Sequence, residues 1–160
     1  EPGIFDGMVG RIAVHADRLD RACRVLELAD DSPGGVVDHD LAIIRAGIAA
    51  REGRVADALG LYRSALAGYR QAGCRFDVAL VVLDMATLIG PGEPAVAAAI
   101  PEGQAILESL GAEPLLARLR AAEESWAASD ARVPASAPSS GMGTPPSAPG
   151  ADTGPELGGR

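Results

Sequence analysis

The chain has 160 residues, of which 48% are hydrophobic and 22% are charged, enough apolar material for one domain with a buried core. Its net charge of −8 provides no basic footprint, which argues against direct binding to nucleic acid or to an anionic membrane surface. No apolar run approaches the roughly 20 residues of a membrane-spanning helix. Aromatic residues make up only 3%, so the core must use small aliphatic side chains, which favours closely packed helices.

Targeting signals and cysteines indicate the compartment in which the protein works. No secretory signal is visible, so we expect a cytoplasmic protein. The first residue is Glu1 rather than Met, so we expect the sequence to be part of a longer protein. Cys23 and Cys74 are too few for a disulfide framework, and we expect Cys23, on an apolar stripe, to be a small buried hydrophobic residue.

Helical periodicity recurs along the chain up to about residue 128. The pattern predicts seven helices, at 5–16, 18–30, 37–51, 55–71, 75–89, 95–110 and 113–128. The clearest apolar stripe has steps of three and one residues, as on one face of an α-helix, and consists of Val55, Ala58, Leu59, Tyr62, Ala65, Leu66 and Tyr69. Because the connections are short, we expect sequential helices to be antiparallel neighbours.

Two of these segments leave alternatives open. Residues 76–89 are apolar nearly all round and contain three valines, which allows a strand. The absence of a turn signal and of a partner strand favours a helix packed between neighbours. After the Gly-Pro-Gly-Glu-Pro break at 90–94, Pro94 can begin the next helix. Pro101 and Gly103 lie within that helix and should kink it or delay its start to about residue 101.

The composition changes sharply near Ser129. From Ser129 to Arg160, Pro, Gly, Ser and Ala supply 22 of 32 residues. Such a segment cannot bury enough apolar surface to offset its loss of conformational entropy on ordering. The sequence therefore predicts a helical domain at 1–128 and a disordered tail at 129–160.

An internal repeat lies in the first half of the helical region. The segment 10–22 is similar to the segment 46–58, at an offset of 36 residues. Each contains a small residue and a helix end, then a tight turn at Asp17 or Gly53, then Arg, an apolar residue and Ala. A repeat of this length predicts helical hairpins that stack on one another.

The second helix of each repeat resembles the tetratricopeptide family at positions +0, +4 and +7, where the residues are Ala58, Tyr62 and Ala65, and, without the aromatic, Ala22, Leu26 and Ala29. Small residues there let the two helices of a hairpin touch. The third pair departs from the pattern, because Leu80 stands where a small residue is expected. The resemblance implies an all-α, TPR-like α-solenoid of antiparallel helix hairpins, about three pairs plus a capping helix that ends at Trp126.

A narrower resemblance covers the region from Tyr62 through Arg120. This region resembles the C-terminal helical repeats of large bacterial signalling proteins. The matching residues are Tyr62-Arg63, Gly73, Phe76, Ala79-Leu80, Leu83-Asp84, Ile106 to Ala112 and Pro114 to Leu119. Those proteins join a nucleotide-cyclase or LuxR-type DNA-binding domain to an AAA (STAND-type) ATPase and then to such repeats. The resemblance implies a C-terminal regulatory segment with a scaffold or packing role in signal transduction.

The sequence shows no catalytic, cofactor-binding or metal-binding motif, and we predict that this segment is not an enzyme and uses no cofactor. A phosphate loop, a dinucleotide fingerprint and a nucleophile elbow are all absent. The most metal-like cluster is Asp38-His39-Asp40, but consecutive helical residues point about 100° apart and cannot face one ion. We expect Asp38 to lie near a helix N-cap, where the helix dipole favours acids.

The candidate binding residues follow from the resemblance. In the tetratricopeptide family the concave groove is lined by the first helix of each pair, which implies partner-contacting positions here at Arg11, His15, Asp40, Arg51, Asp77 and Asp84. The implied partner is a protein or peptide, or another domain of the same chain.

Two other functions remain open at this point. A small helical enzyme or ligand-binding bundle would have an enclosed pocket with convergent polar groups. A homo-oligomerising adaptor would pair its first or last helix across a symmetry axis, and the sequence leaves the oligomeric state open.

Overall fold

The amphipathic and apolar segments form helices throughout the part of the chain that the structure describes. The computed structural model describes residues 3–30 and 37–130, with side chains for 8–28 and 39–129. Its helices are α1 (Gly3–His15), α2 (Leu19–Asp30), α3 (Val37–Arg51), α4 (Val55–Ala72), α5 (Arg75–Leu88), α6 (Pro94–Ser109) and α7 (Glu113–Asp130). Within these ranges every regular element is a helix, so the all-α prediction is confirmed.

The predicted helix limits agree closely with the observed ones. Each predicted limit lies within two residues of the observed one, and residues 76–89 form helix α5 and its end rather than a strand. Helix α7 continues through Ser129 to Asp130, two residues into the predicted tail. The rest of that tail lies outside the described residues.

Four of the turns between helices share one backbone geometry. Asp17, Gly53, Gly73 and Gly111 all have positive φ, at 57°, 77°, 72° and 63°. In the α1–α2 turn, the N–H of Arg18 donates to the carbonyl of Ala13 at 2.8 Å, and in the α3–α4 turn Arg54 donates to Ala49 at 2.8 Å. These bonds are 36 residues apart and satisfy the last carbonyls of each helix by the Schellman pattern.

The odd-numbered helices form a connected layer. Helix α1 contacts α3, α3 contacts α5, and α5 contacts α7, while the pairs α1–α2, α3–α4 and α5–α6 also pack against each other. Close approach of α1 and α3 depends on glycine, since a Cβ on Gly47 would lie 2.7 Å from Cγ1 of Val14. Real Cβ atoms essentially never come that close, so the contact excludes a larger residue at that position.

The core consists of two hydrophobic clusters that meet at α3. Ile43, Ala46 and Ala49 belong to the larger cluster, which extends through α4 to α7. Leu41, Ile44 and Ile48 belong to the smaller cluster with α1 and α2. Because α3 packs on both sides, its sequence is apolar around most of its circumference.

Two sequence-based expectations about single residues are corrected. Helix α6 begins at Pro94 and continues past Pro101 to Ser109, so the delayed start is wrong. Pro94 supplies the first-turn position that proline favours. Cys23 is exposed rather than buried. Helix α2 instead buries Ala22 and Val25, and Cys23 lies about 100° round the helix from Ala22.

Candidate functional site

A cavity of about 830 Å³, called the groove below, opens along the layer of odd-numbered helices. Its lining residues come from α1, α3, α5 and α7, and Ala16 of the turn after α1 adds one more. Most of them belong to α1 and α5. No even-numbered helix contributes a lining residue within the described part of the chain. The groove therefore lies on one face of the helix pairs.

The structure brings most of the predicted site residues together. Arg11, His15, Asp40, Asp77 and Asp84 all line the groove. The sixth candidate, Arg51, does not line it. Arg51 lies in the last turn of α3, and its Nη2 donates to the backbone carbonyl of His15 at 3.1 Å. Its side chain therefore satisfies a carbonyl at the C-terminus of α1.

Asp84 is the centre of a charged network that joins α1 to α5. The residue is only 5% exposed, the lowest exposure of any charged residue described. Arg11 Nη2 donates to Asp84 Oδ2 at 2.7 Å, and His15 Nε2 lies 2.7 Å from Asp84 Oδ1. Because a carboxylate only accepts, His15 must carry a proton on Nε2 at this contact. Two charge-assisted bonds thus offset the cost of burying the Asp84 charge.

Tyr62 of α4 lies close to this network but does not join it. The side chain is fully buried, and its hydroxyl has no hydrogen-bond partner among the described residues. Burial raises the pKa of Tyr62, the negative charge of Asp84 raises it further, and the positive charge of Arg11 lowers it. Tyr62 therefore stays a neutral phenol, and its ring belongs to the larger core cluster.

Asp40 and Asp77 form a second polar region, around Tyr69. The hydroxyl of Tyr69 donates to Asp40 Oδ1 at 2.5 Å. Burial raises the pKa of Tyr69, and the bond to Asp40 and the charges of Asp40 and Asp77 raise it further. Within the described residues, neither aspartate forms an ion pair with a cationic side chain. Within the part of the chain that the structure describes, the groove therefore holds two carboxylates that no cation pairs with.

Exposed apolar side chains form the walls of the groove. Met8 is 63% exposed, Ile12 is 60% exposed and Phe76 is 46% exposed, and all three line the cavity. The sequence analysis named only polar groove residues and missed these. The spacing of four residues between Met8 and Ile12, beside Arg11 and His15 on the same helix, was the available signal.

The described residues offer no metal centre. No three His, Cys, Asp or Glu side chains among them are arranged to hold an ion. In the cluster singled out from the sequence, the His39 ring lies 5.5 Å from the Tyr69 ring and Asp40 accepts from the Tyr69 hydroxyl. The side chain of Asp38, the second residue of α3, lies outside the described ones. Among the described helices, none combines the length and hydropathy needed to cross a bilayer.

Comparisons with known proteins do not assign the chain to a family. No protein-family model matches it, and searches of curated proteins and of solved structures return no similar chain. The functional interpretation therefore rests on the residues and on the geometry of the groove.

Proposed function

We propose that this domain is a protein-interaction scaffold whose groove binds a segment of a partner protein or of another domain of its own chain. The observation that carries the proposal is the groove itself, about 830 Å³ with apolar walls that include the exposed Met8, Ile12 and Phe76. A surface of this kind is costly to leave in water and is typical of a site that another molecule covers.

We further propose that the helices form a tetratricopeptide-like array. Three features support this arrangement: the offset of 36 residues in the sequence, the same turn bonding at Arg18 and Arg54, and the contacts between successive odd-numbered helices. In such an array the first helix of each pair lines the concave face, which agrees with a groove lined by α1, α3, α5 and α7.

The wider role that we propose is regulatory. The resemblance of residues 62–120 to the helical repeats of bacterial cyclase, ATPase and LuxR-type proteins supports a place at the C-terminal end of such a protein. The domain would then act in the cytoplasm by shape and charge complementarity, and any catalysis would belong to other domains of that protein.

A small-molecule binding bundle is the second candidate, and the size of the cavity favours it. The cavity is within the size range of ligand pockets, and a buried carboxylate lies at its edge. Arg11 and His15, however, both bind Asp84, so each already has a partner within the protein. The exposed walls also suit a partner with a large contact surface better than an enclosed ligand.

Site-specific photo-crosslinking tests the proposed function. A photoreactive amino acid replaces Ile12 in the groove or, as the control, Ala98, which is exposed on α6. We expect a defined protein adduct, identified by mass spectrometry, from position 12 and none from position 98. Equal adducts at both positions, or no protein adduct from position 12, would reject the scaffold. An adduct between two copies of the chain would instead favour the homo-oligomerising adaptor.

A further inference from the structure

The charges around the groove are not balanced from one end to the other. At one end, Arg11 and His15 share the single carboxylate of Asp84. Asp77 lies two helical turns before Asp84 on α5, about 10 Å along the helix axis. There Asp77 and Asp40 face the groove without a cationic partner among the described residues.

Among the described lining residues, the only arginine besides Arg11 is Arg118, and none is a lysine. Arg118 lies on α7, at the border with a second hollow that Thr87 and Trp126 line, and it forms no ion pair within the described part of the chain. Within the described residues, two carboxylates without an ion-pair partner therefore face one such cation, so the Asp40–Asp77 end of the groove carries negative charge. The net charge of −8 on the whole chain adds to the attraction for a positively charged partner.

The apolar walls have the spacing of helix surfaces. Met8 and Ile12 are one turn apart on α1, and Phe76 and Leu80 are one turn apart on α5. Rows of side chains at this spacing accept the side chains of another helix between them, as in ordinary helix–helix packing. An amphipathic helix laid along the groove would cover both walls at once.

We propose that the segment bound in the groove is a cationic amphipathic helix, whose apolar face covers Met8, Ile12, Phe76 and Leu80 and whose Arg or Lys side chain binds Asp40 and Asp77. This inference rests on the proposed function, because it names the class of partner for the same groove. The chain's own residues 131–160 do not have this character, since they contain six prolines, six glycines and only three larger apolar side chains, Val133, Met142 and Leu157.

Three designed peptides test the inference by fluorescence anisotropy. Each is about 16 residues long with leucines at helical spacing, and the polar positions are Lys in the first, Gln in the second and Glu in the third. We expect the Lys peptide to bind the wild-type chain at least about tenfold more tightly than the Glu peptide. The double variant Asp40→Asn/Asp77→Asn should lose about tenfold in affinity for the Lys peptide.

Two matched variants separate the groove from general charge. Glu27→Gln/Glu124→Gln removes the same charge from exposed sites that do not line the groove, and it should weaken binding less than about twofold. Ile12→Asn alters an exposed wall residue at little cost in stability and should abolish binding of the Lys peptide.

Each other outcome rejects a stated part of the proposal. If the Lys and Gln peptides bind equally, or the control variant loses as much affinity as Asp40→Asn/Asp77→Asn, the cationic partner is wrong. In either case, if Ile12→Asn still abolishes binding of the peptides, the groove remains the proposed binding surface. If no peptide responds to Ile12→Asn, the cationic helix is rejected, and the photo-crosslinking at position 12 decides whether the scaffold is rejected with it. Self-association that Ile12→Asn prevents would identify a second copy as the occupant and overturn the cationic helix.

Discussion

The two tyrosines of α4 provide a test of the hydrogen bonding inferred for the interior. Tyr62 and Tyr69 lie two turns apart on the same helix, and both rings are buried. The hydroxyl of Tyr69 donates to Asp40, whereas the hydroxyl of Tyr62 has no partner among the described residues. Replacing either residue by Phe removes one oxygen atom, but the structure predicts opposite effects on the free energy of unfolding.

The magnitudes follow from the cost of leaving a polar group unsatisfied. A buried hydroxyl without a partner destabilises the folded state by about 1–3 kcal/mol. Removing its oxygen leaves a small void, which destabilises the folded state by only about 0.3 kcal/mol. Tyr62→Phe should therefore stabilise the domain by about 1 kcal/mol. Tyr69→Phe should destabilise it by about 1–2 kcal/mol, because it breaks a bond to a charged acceptor that then turns to water.

Urea unfolding at pH 7 measures both effects, with the fluorescence of Trp126, the only tryptophan, and circular dichroism as independent probes. In thermal unfolding, 1 kcal/mol corresponds to about 4 °C for a domain of this size. If Tyr62→Phe destabilises the domain as much as Tyr69→Phe does, then the Tyr62 hydroxyl has a partner and the description of the interior is wrong.

The other predictions concern the buried ion network, the α1–α3 contact and alkaline pH. Arg11→Met should destabilise the domain by about 3 kcal/mol because it leaves the buried Asp84 with one partner, and adding Asp84→Leu should restore most of that loss. Gly47→Ala should destabilise it by about 1–3 kcal/mol because the new methyl group meets Val14, whereas Gly60→Ala, in open space on α4, should stabilise it by about 0.5–1 kcal/mol. Both α4 tyrosines have a folded-state pKa above the unfolded value of about 10. Their contribution to the free energy of unfolding is therefore complete below pH 10 and is lost as the pH rises above it. The loss is up to about 1.4 kcal/mol per pH unit for each tyrosine.

Denaturant titrations decide these three predictions. If the second substitution fails to restore the stability lost in Arg11→Met, the cost did not come from an uncompensated buried carboxylate. Equal responses of Gly47→Ala and Gly60→Ala would contradict the close approach of α1 and α3. The stability of the chain in which both tyrosines are replaced by Phe should be less dependent on pH above 10, and an unchanged pH profile would refute the linkage.

Local features of the sequence determined the helices. The stripe from Val55 to Tyr69 predicts which face of α4 is buried, since burial follows from spacing of three and four residues alone. The turn residues Gly53 and Gly73 mark helix ends because a left-handed residue there closes the backbone bonds. Five of the six groove candidates line the cavity because the first helix of each predicted pair lies in the odd-numbered layer.

Only the tertiary structure decided the character of the groove. Asp84 stands in an apolar segment, and its burial becomes tolerable only because Arg11 and His15, 73 and 69 residues away, supply the two donors. The exposure of Cys23, and the direction in which Arg51 reaches, depend in the same way on which neighbours cover a helix face. Periodicity records which face of a helix is apolar, whereas the environment of a polar side chain is set by contacts between helices that are distant in sequence.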